Sequence, residues 1–367
     1  MKTTFLILSR PMVAIIMLLC SVGCYAQGLT FKAPMPPTKT TPELVPIKQS
    51  KPFTFVVFGD SQGDKSEPLV LELIKNDIIA SQSTQYPVDL ALSLGDLIVG
   101  EPPAGDIDPA KLTSTLTKAR AKAAEFNIPV FNSPGNHEMD ARDPVVDGKP
   151  FPGKEMPTRE MRDVYENVIG QTYGSFDYGN SHFVVINTVD IPTRAATEAF
   201  IKSQAEYQEN FTRLHPGVPF HAQEFSYIGA EQRAWLKADL DANSDKTHIF
   251  IAMHYPEYPK TGLGGWGLGS QIDQDSFNFM RELLKNRNNV SFVFASHQHL
   301  FYNHHDPGNV KTVQPYSSGE PTRFMVSGGA GAWLSASAID GGFFHYLKVH
   351  VDGDDVTVSI ERTGMAK

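Results

Sequence analysis

Five short clusters of polar residues stand out in the sequence because each follows directly on a run of apolar residues. They contain Asp, Asn, Gln and His, whose oxygen and nitrogen atoms bind divalent metals. In chain order they are Asp60-Ser61-Gln62, Gly95-Asp96, Gly135-Asn136-His137-Glu138, His254 and His297-Gln298-His299. A single Gly-Asp pair or a single His is usually a turn or a structural residue, but the ordered set predicts one shared site.

The chemistry that this set could support is hydrolysis assisted by two metal ions. Two divalent ions about 3.5–4 Å apart can clamp a phosphoryl group and share one bridging hydroxide. If Asp60 and Asp96 hold two such ions together with the hydroxide, roughly one positive charge remains uncancelled. A site of this kind would attract a phosphate anion although the whole chain has a formal net charge of −9.

The apolar runs before the first three clusters have the length and composition of β-strands. Amphipathic segments with helical spacing separate them, and this alternation predicts parallel βαβ units. In such a sheet the ligand site lies beyond the carboxyl ends of the strands, which is where these clusters fall. The predicted strands are residues 53–58, 88–94 and 128–132, and the predicted helices are residues 67–80 and 109–126.

The second half of the chain repeats this pattern with more β structure. A helix is predicted over residues 230–242, and the long segment 190–228 before it is interpreted as an insertion. The predicted strands are residues 173–178, 182–187, 247–253, 290–295, 324–327, 343–351 and 356–361. With no internal repeat and no change of composition, the sequence predicts one α/β domain over residues 51–367.

The order of the clusters resembles the calcineurin-like metallophosphoesterase superfamily. Its pattern is Asp-x-His, Gly-Asp, Gly-Asn-His-Asp/Glu, a single His and Gly-His-x-His, and the resemblance covers residues 53 to about 330. It implies an α/β sandwich of two mixed β-sheets flanked by helices. It also implies an enzyme that hydrolyses a small-molecule phosphate mono- or diester through attack of a metal-bridging hydroxide.

The resemblance further implies a role for each residue of the clusters. The ligands of the first metal would be Asp60, Gln62, Asp96 and His299. The ligands of the second would be Asp96, Asn136, His254 and His297, so that Asp96 bridges the pair. His137 would bind no metal; it would contact a phosphate oxygen and protonate the leaving group, which makes His137 and Asp96 the expected catalytic residues. The metals would be two divalent ions such as Mn, Fe, Zn or Mg.

Three positions depart from relatives within the superfamily. Gln62 stands where His is usual, and its harder, weaker oxygen ligand favours Mn or Mg, with a water molecule in its place as the alternative. Ser296 replaces the usual Gly before the last His pair, a change that a tight turn should tolerate. Val99 stands where purple acid phosphatases place a Tyr ligand, which argues against a tyrosinate-bound ferric site.

The first 50 residues have the pattern of an export leader and a linker. A positively charged start and an uncharged, mostly apolar run over residues 11–19 predict a signal peptide over residues 1–26, cleaved after Ala26. The alternatives are a lipoprotein signal that leaves a lipid anchor on Cys24, or an uncleaved anchor. Residues 27–50 are rich in Pro and Thr and are interpreted as a linker. The protein is therefore expected in the periplasm or outside the cell.

Composition excludes some sites and leaves two rival functions open. Both cysteines, Cys20 and Cys24, lie in the leader, so the predicted mature domain has no thiolate metal site. The sequence contains no cluster of Lys and Arg residues, so an extended nucleic-acid-binding surface is not expected. One rival to the enzyme is a catalytically weak metal- or ligand-binding member of the same fold, supported only by Gln62. The other is a binder of glycans or protein partners that uses residues 190–228.

Overall fold

The computed structural model describes residues 52–62, 68–99, 108–142, 145–146, 148–150, 155–214, 216, 224–262 and 270–363. The predicted signal peptide, Cys24 and the predicted linker lie outside these residues. Within the described part of the chain, no helix has both the length and the apolar character that a membrane span needs.

Seven α-helices and sixteen β-strands are found in the described residues. The helices are α1 Pro68–Ser81, α2 Pro109–Ala124, α3 Asn136–Met139, α4 Arg159–Val168, α5 Arg194–Leu214, α6 Ala230–Ala242 and α7 Gln274–Leu284. The strands are β1 Phe53–Phe58, β2 Val88–Ser93, β3 Val130–Asn132, β4 Asp140–Arg142, β5 Val145–Val146, β6 Lys149–Pro150, β7 Glu155–Pro157, β8 Gly174–Tyr178, β9 Ser181–Val185, β10 His248–Ala252, β11 Val290–Ala295, β12 Phe301–Asn303, β13 Tyr316–Ser317, β14 Arg323–Ser327, β15 His345–Asp352 and β16 Asp355–Arg362.

Two six-stranded mixed sheets contain most of these strands. The first has the order β13-β16-β15-β1-β2-β3, and the second has the order β12-β14-β11-β10-β9-β8. Strands β1, β2 and β3 are parallel, as are β9, β10, β11 and β14. Antiparallel neighbours complete both sheets. The predicted α/β fold with two mixed sheets is confirmed.

All six residues of strand β1 are buried, and this burial explains why nearly all of them are apolar. Alternate side chains point to opposite faces of a strand. Phe55 and Val57 belong to the core between the sheets, whereas Val56 and Phe58 belong to the core under the helices. The Phe55 ring lies 4.9 Å from the Phe250 ring of the second sheet. Both faces of β1 are therefore buried, and the two sheets form a sandwich with helices packed outside it.

Most predicted elements lie close to their predicted positions, and the differences have local causes. The predicted helix over residues 230–242 and the strand over residues 53–58 have the predicted bounds. Strand β3 begins at Val130 rather than at residue 128, and the intervening Pro129 has no N–H to donate to the ladder. Helix α5 occupies much of the segment for which the sequence predicts only an insertion.

Candidate metal centre

The five polar clusters meet at one edge of the sandwich, beyond the carboxyl ends of β1, β2, β3, β10 and β11. Two groups of possible metal ligands form there, with the ligand atoms of each group within 4.8 Å of one another. The groups are Asp96, His254 and His297, and Asp60, Asp96 and His299. Asp96 belongs to both groups, so the geometry offers two adjacent candidate cation sites that share one carboxylate.

Unusual backbone conformations are concentrated among the predicted ligands. Six described residues other than glycine have a positive φ, and five of them are predicted ligands. Their φ values are 57° for Asp60, 39° for Gln62, 52° for Asp96, 69° for His297 and 48° for His299. Each such conformation costs on the order of 1–3 kcal/mol and persists only where the surroundings enforce it. These residues lie in the turns that follow β1, β2 and β11 and lead into the site.

Two glycines allow the carboxylates to lie against the backbone. A Cβ atom on Gly135 would lie 2.1 Å from Oδ1 of Asp96, and one on Gly328 would lie 2.2 Å from Oδ2 of Asp60. Because no real side chain tolerates such distances, any larger residue would displace a carboxylate. The glycine of the third cluster therefore makes room for the Asp96 carboxylate.

The hydrogen bonds of His254 define which of its ring nitrogens is free. Its Nδ1 lies 2.8 Å from the carbonyl oxygen of Leu94, and because a carbonyl only accepts, Nδ1 must carry the proton. Burial, followed by the nearby His297, holds the pKa of His254 well below its ordinary value, so the ring is neutral. The Nε2 lone pair then faces Oδ1 of Asn136 at 3.0 Å and Oδ1 of Asp96 at 3.4 Å. Acceptors facing one another in this way are expected around a cation.

Hydrogen bonding and burial also determine which ring nitrogen of His299 is free. Its Nδ1 donates to the carbonyl oxygen of Trp333 at 2.9 Å, and its Nε2 lies 4.0 Å from Oδ1 of Asp60. Burial and the nearby His297 lower the pKa of His299 to about 3, so this ring is neutral as well. Its bare Nε2 nitrogen is therefore available as a ligand.

Burial disfavours the charged forms of Asp60 and Asp96, and few partners in the protein offset this cost. Neither oxygen of Asp60 makes a well-aligned hydrogen bond in the described structure, and Oδ2 of Asp96 makes none either. Burial and Asp96 raise the pKa of Asp60 well above its ordinary value, more than the N–H groups of His297 and His299 lower it. Burial also raises the pKa of Asp96 to about 7. Unpaired carboxylates are costly in a dry site, and bound divalent ions would compensate them.

Glu138 holds the loop that carries Asp96. Its Oε2 accepts hydrogen bonds from the backbone N–H groups of Asp96 at 3.0 Å and Gly135 at 2.8 Å. Its Oε1 accepts from the N–H of Ile98 at 3.3 Å. Three backbone donors thus surround one buried side chain, and Glu138 holds the backbone around Asp96 in place.

His137 is the most accessible imidazole of the clusters. One third of its side chain is exposed, whereas the side chains of His254, His297 and His299 are at most 6% exposed. Its Nδ1 contacts the carbonyl oxygen of Val99, and its Nε2 lies 3.7 Å from Oδ2 of Asp96. His137 can therefore reach a molecule bound at the site without being part of either ligand group.

The two positions with unusual residues also lie at the site. Gln62 is buried, and its side-chain hydrogen bond to Asp96 lowers the pKa of that carboxyl in part. The Oγ of Ser296 donates to the Leu94 carbonyl at 2.7 Å and lies 3.0 Å from Nδ1 of His254. The turn accommodates Ser296 because Gly59, which packs against it, has no side chain.

Several contacts at the centre could not be predicted from the sequence. The carbonyl groups of Leu94, Val99 and Trp333 orient three imidazoles, and every residue carries such a group. Glu224, from the segment before α6, lies 2.7 Å from Nε2 of His297. It belongs to no motif, so only the tertiary structure reveals it.

Comparison with known proteins identifies the family. A sequence profile described as calcineurin-like phosphoesterase matches residues 53–301, which is more than half of the chain. The chain belongs to the calcineurin-like phosphoesterase family. This family membership confirms the predicted resemblance, and the family is one of phosphoesterases. The predicted pair of divalent ions agrees with the family and with the two ligand groups. No curated protein sequence matches the chain.

Solved structures agree with this fold at low sequence identity. A purple acid phosphatase from yellow lupin (Lupinus luteus) seeds has a TM-score of 0.55 and 14% identity, over 88% of this chain and 53% of that one. A dimetal phosphatase from Danio rerio has a TM-score of 0.52 and 14% identity, over 84% and 96%. The structure of PhoD has a TM-score of 0.53 and 16% identity, over 84% and 65%. The chain thus spans about half of the lupin structure and just under two thirds of PhoD.

Proposed function

We propose that this phosphoesterase cleaves a small-molecule phosphate mono- or diester, with two bound divalent ions supplying the attacking hydroxide and neutralising the phosphoryl charge. The observation that carries the proposal is the meeting of the uncompensated Asp60 and Asp96 carboxylates with the bare nitrogens of neutral histidines. One ion is assigned to Asp60, Gln62, Asp96 and His299, and the other to Asp96, Asn136, His254 and His297. Mn and Mg suit the oxygen-rich first group better than softer ions.

His137 has the position of a general acid. Its Nδ1 proton is held by the carbonyl of Val99, which leaves Nε2 near the shared Asp96 and within reach of solvent. With a proton on Nε2, the imidazolium would hydrogen-bond a phosphate oxygen and then protonate the leaving oxygen. General acids of this kind typically contribute about 100- to 10,000-fold to the rate.

Two model esters test the proposal and separate diester from monoester preference. The protein is stripped with a chelator and assayed on bis-(p-nitrophenyl) phosphate and p-nitrophenyl phosphate, without and with added Mn. Turnover should require Mn. His137→Ala should keep both metals and lose at least about 100-fold in turnover, whereas Asp96→Asn should lose metal as well.

His350→Ala is the matched control, because His350 pairs with Thr54 at the opposite end of β1. It should retain wild-type turnover. Full turnover without metal, or by Asp96→Asn, would contradict the proposal. Tight binding of two ions with no turnover of either ester would instead support the catalytically weak alternative, whose basis is Gln62.

A further inference from the structure

His297 has a polar contact at each of its ring nitrogens. Its Nδ1 lies 3.2 Å from Nε2 of His254, so this edge of the ring faces the candidate metal centre. Its Nε2 lies 2.7 Å from Oε2 of Glu224, with the carboxylate off the line of the N–H bond. The imidazole thus stands between the cation sites and a carboxylate.

Tyr255 connects Glu224 to the same histidine. The hydroxyl of this fully buried residue donates to Oε2 of Glu224 at 3.0 Å. Its ring lies over the His297 ring, with 4.0 Å between centroids, and meets the His254 ring edge-on at 5.2 Å. One aromatic residue therefore restrains both imidazoles and the carboxylate.

The segment that carries Glu224 is attached to the body of the protein. The buried Phe225 packs edge-on against Phe200 of α5, at 4.9 Å. The Oγ of Ser226 donates to the carbonyl of Gln271 at 2.8 Å, and Tyr227 N donates to the carbonyl of Thr188 at 2.8 Å. These contacts place the Glu224 carboxylate beside the centre, although it comes from a segment without a motif.

We propose that Glu224 is a positioning residue for the ion assigned to Asn136, His254 and His297. The charge of its carboxylate, 2.7 Å from Nε2, favours the His297 tautomer with the proton on Nε2, which would leave the Nδ1 lone pair for the metal and make the ring a stronger ligand. The inference rests on the ligand assignment of the proposed function. It also gives a role to the described segment directly before α6, because this segment carries Glu224 to the centre.

The effect should be confined to one of the two ions, since His297 is a ligand of only one. Mn is titrated calorimetrically into stripped wild-type, Glu224→Ala, Glu224→Gln and Tyr255→Phe proteins. Loss of such a partner typically weakens metal affinity about 10- to 100-fold. We expect this loss at one site in Glu224→Ala, with the other site unchanged. Glu224→Gln should lose less, because its amide oxygen still accepts, and Tyr255→Phe should lose least.

Glu206→Ala is the matched control, since Glu206 lies on the exposed side of α5 and pairs only loosely with Lys202, at 3.9 Å. It should bind both ions like the wild type. Unchanged affinity at both sites of Glu224→Ala would overturn the inference, as would equal weakening of both sites with a lower melting temperature in both Glu224 variants. A wild type that binds two ions without hydrolysing esters would contradict the proposed function and leave this measurement valid. A wild type that binds no ion would overturn both.

Discussion

At His254 and His299, a backbone carbonyl decides which ring nitrogen can bind a metal. Leu94 and Trp333 each accept the Nδ1 proton, so Nε2 is left bare in both rings. This choice cannot be inferred from the sequence, because the acceptor is a main-chain group. The type of each residue limits the chemistry it can perform, but its neighbours determine which atom performs it.

Gly59 and Ser296 pack against each other at the centre in a way that makes the two residue types interdependent. A Cβ atom added to Gly59 would lie 2.4 Å from the Cβ of Ser296 and 2.7 Å from its Oγ. Such distances are far inside van der Waals contact. The serine that replaces the usual glycine is therefore tolerated because its neighbour is itself a glycine.

A double-mutant cycle tests this dependence. Gly59→Ala should lower the free energy of unfolding by about 1–3 kcal/mol through overpacking. Gly59→Ala combined with Ser296→Gly should recover much of that loss, because the second change removes both clashing atoms. Urea unfolding of the four proteins measures the coupling. Strictly additive losses would show that the two residues do not constrain each other.

At the scale of elements, β8, β9 and α6 are joined by one buried histidine. His182 of β9 lies 2.6 Å from Oδ1 of Asp177 in β8 and 2.8 Å from Oδ2 of Asp239 in α6. Burial alone would lower the pKa of His182, but the two carboxylates outweigh burial and raise it above its ordinary value. The two carboxylates thus favour the charged form of an imidazole that connects the edge of the second sheet to a helix.

This connection should make the stability of the protein depend on pH. Because the folded pKa of His182 is raised, its contribution is complete below the unfolded value of about 6.5 and is lost as pH rises through the folded pKa. His182→Gln should destabilise the fold by on the order of 3 kcal/mol at low pH, and by less as pH rises. Urea unfolding with a chelator present measures this difference without metal binding. A difference that does not vary with pH would contradict the assignment.

At the scale of the whole molecule, the metal centre concentrates buried negative charge that is uncompensated in the protein alone. Asp60 and Asp96 follow different strands, and the charge of Asp96 raises the electrostatic cost of ionising Asp60. Ions that bind only the folded chain stabilise it by mass action. The centre should therefore contribute to the stability of the entire sandwich.

Thermal unfolding with and without Mn tests this contribution. At a free concentration about 100 times Kd, one bound ion adds about 2.7 kcal/mol, which corresponds to a rise in Tm of roughly 5 °C. Asp96→Asn removes the shared ligand and should abolish most of this rise. An equal Tm with and without Mn in the wild type would show that the centre does not bind this ion.

The sequence by itself determined the elements and the composition of the site. Strands that are buried on both faces, such as Phe53–Phe58, are almost continuously apolar. Such an apolar run can be recognised in the sequence without a structure. The order of the polar clusters then identified the family and placed the predicted ligands at strand ends. The segment of residues 190–228 had no such regular pattern linked to chemistry, so helix α5 was not predicted.

Only the tertiary structure decided how these residues act together. His254 meets the carbonyl of Leu94, 160 positions earlier in the chain, and Glu224 reaches His297 from a separate segment. Such contacts depend on how strands order themselves in two sheets and on which turns enforce a positive φ. Because hydrogen-bond partners, tautomers and packing clashes arise between distant segments, they leave no periodic or compositional trace in the chain.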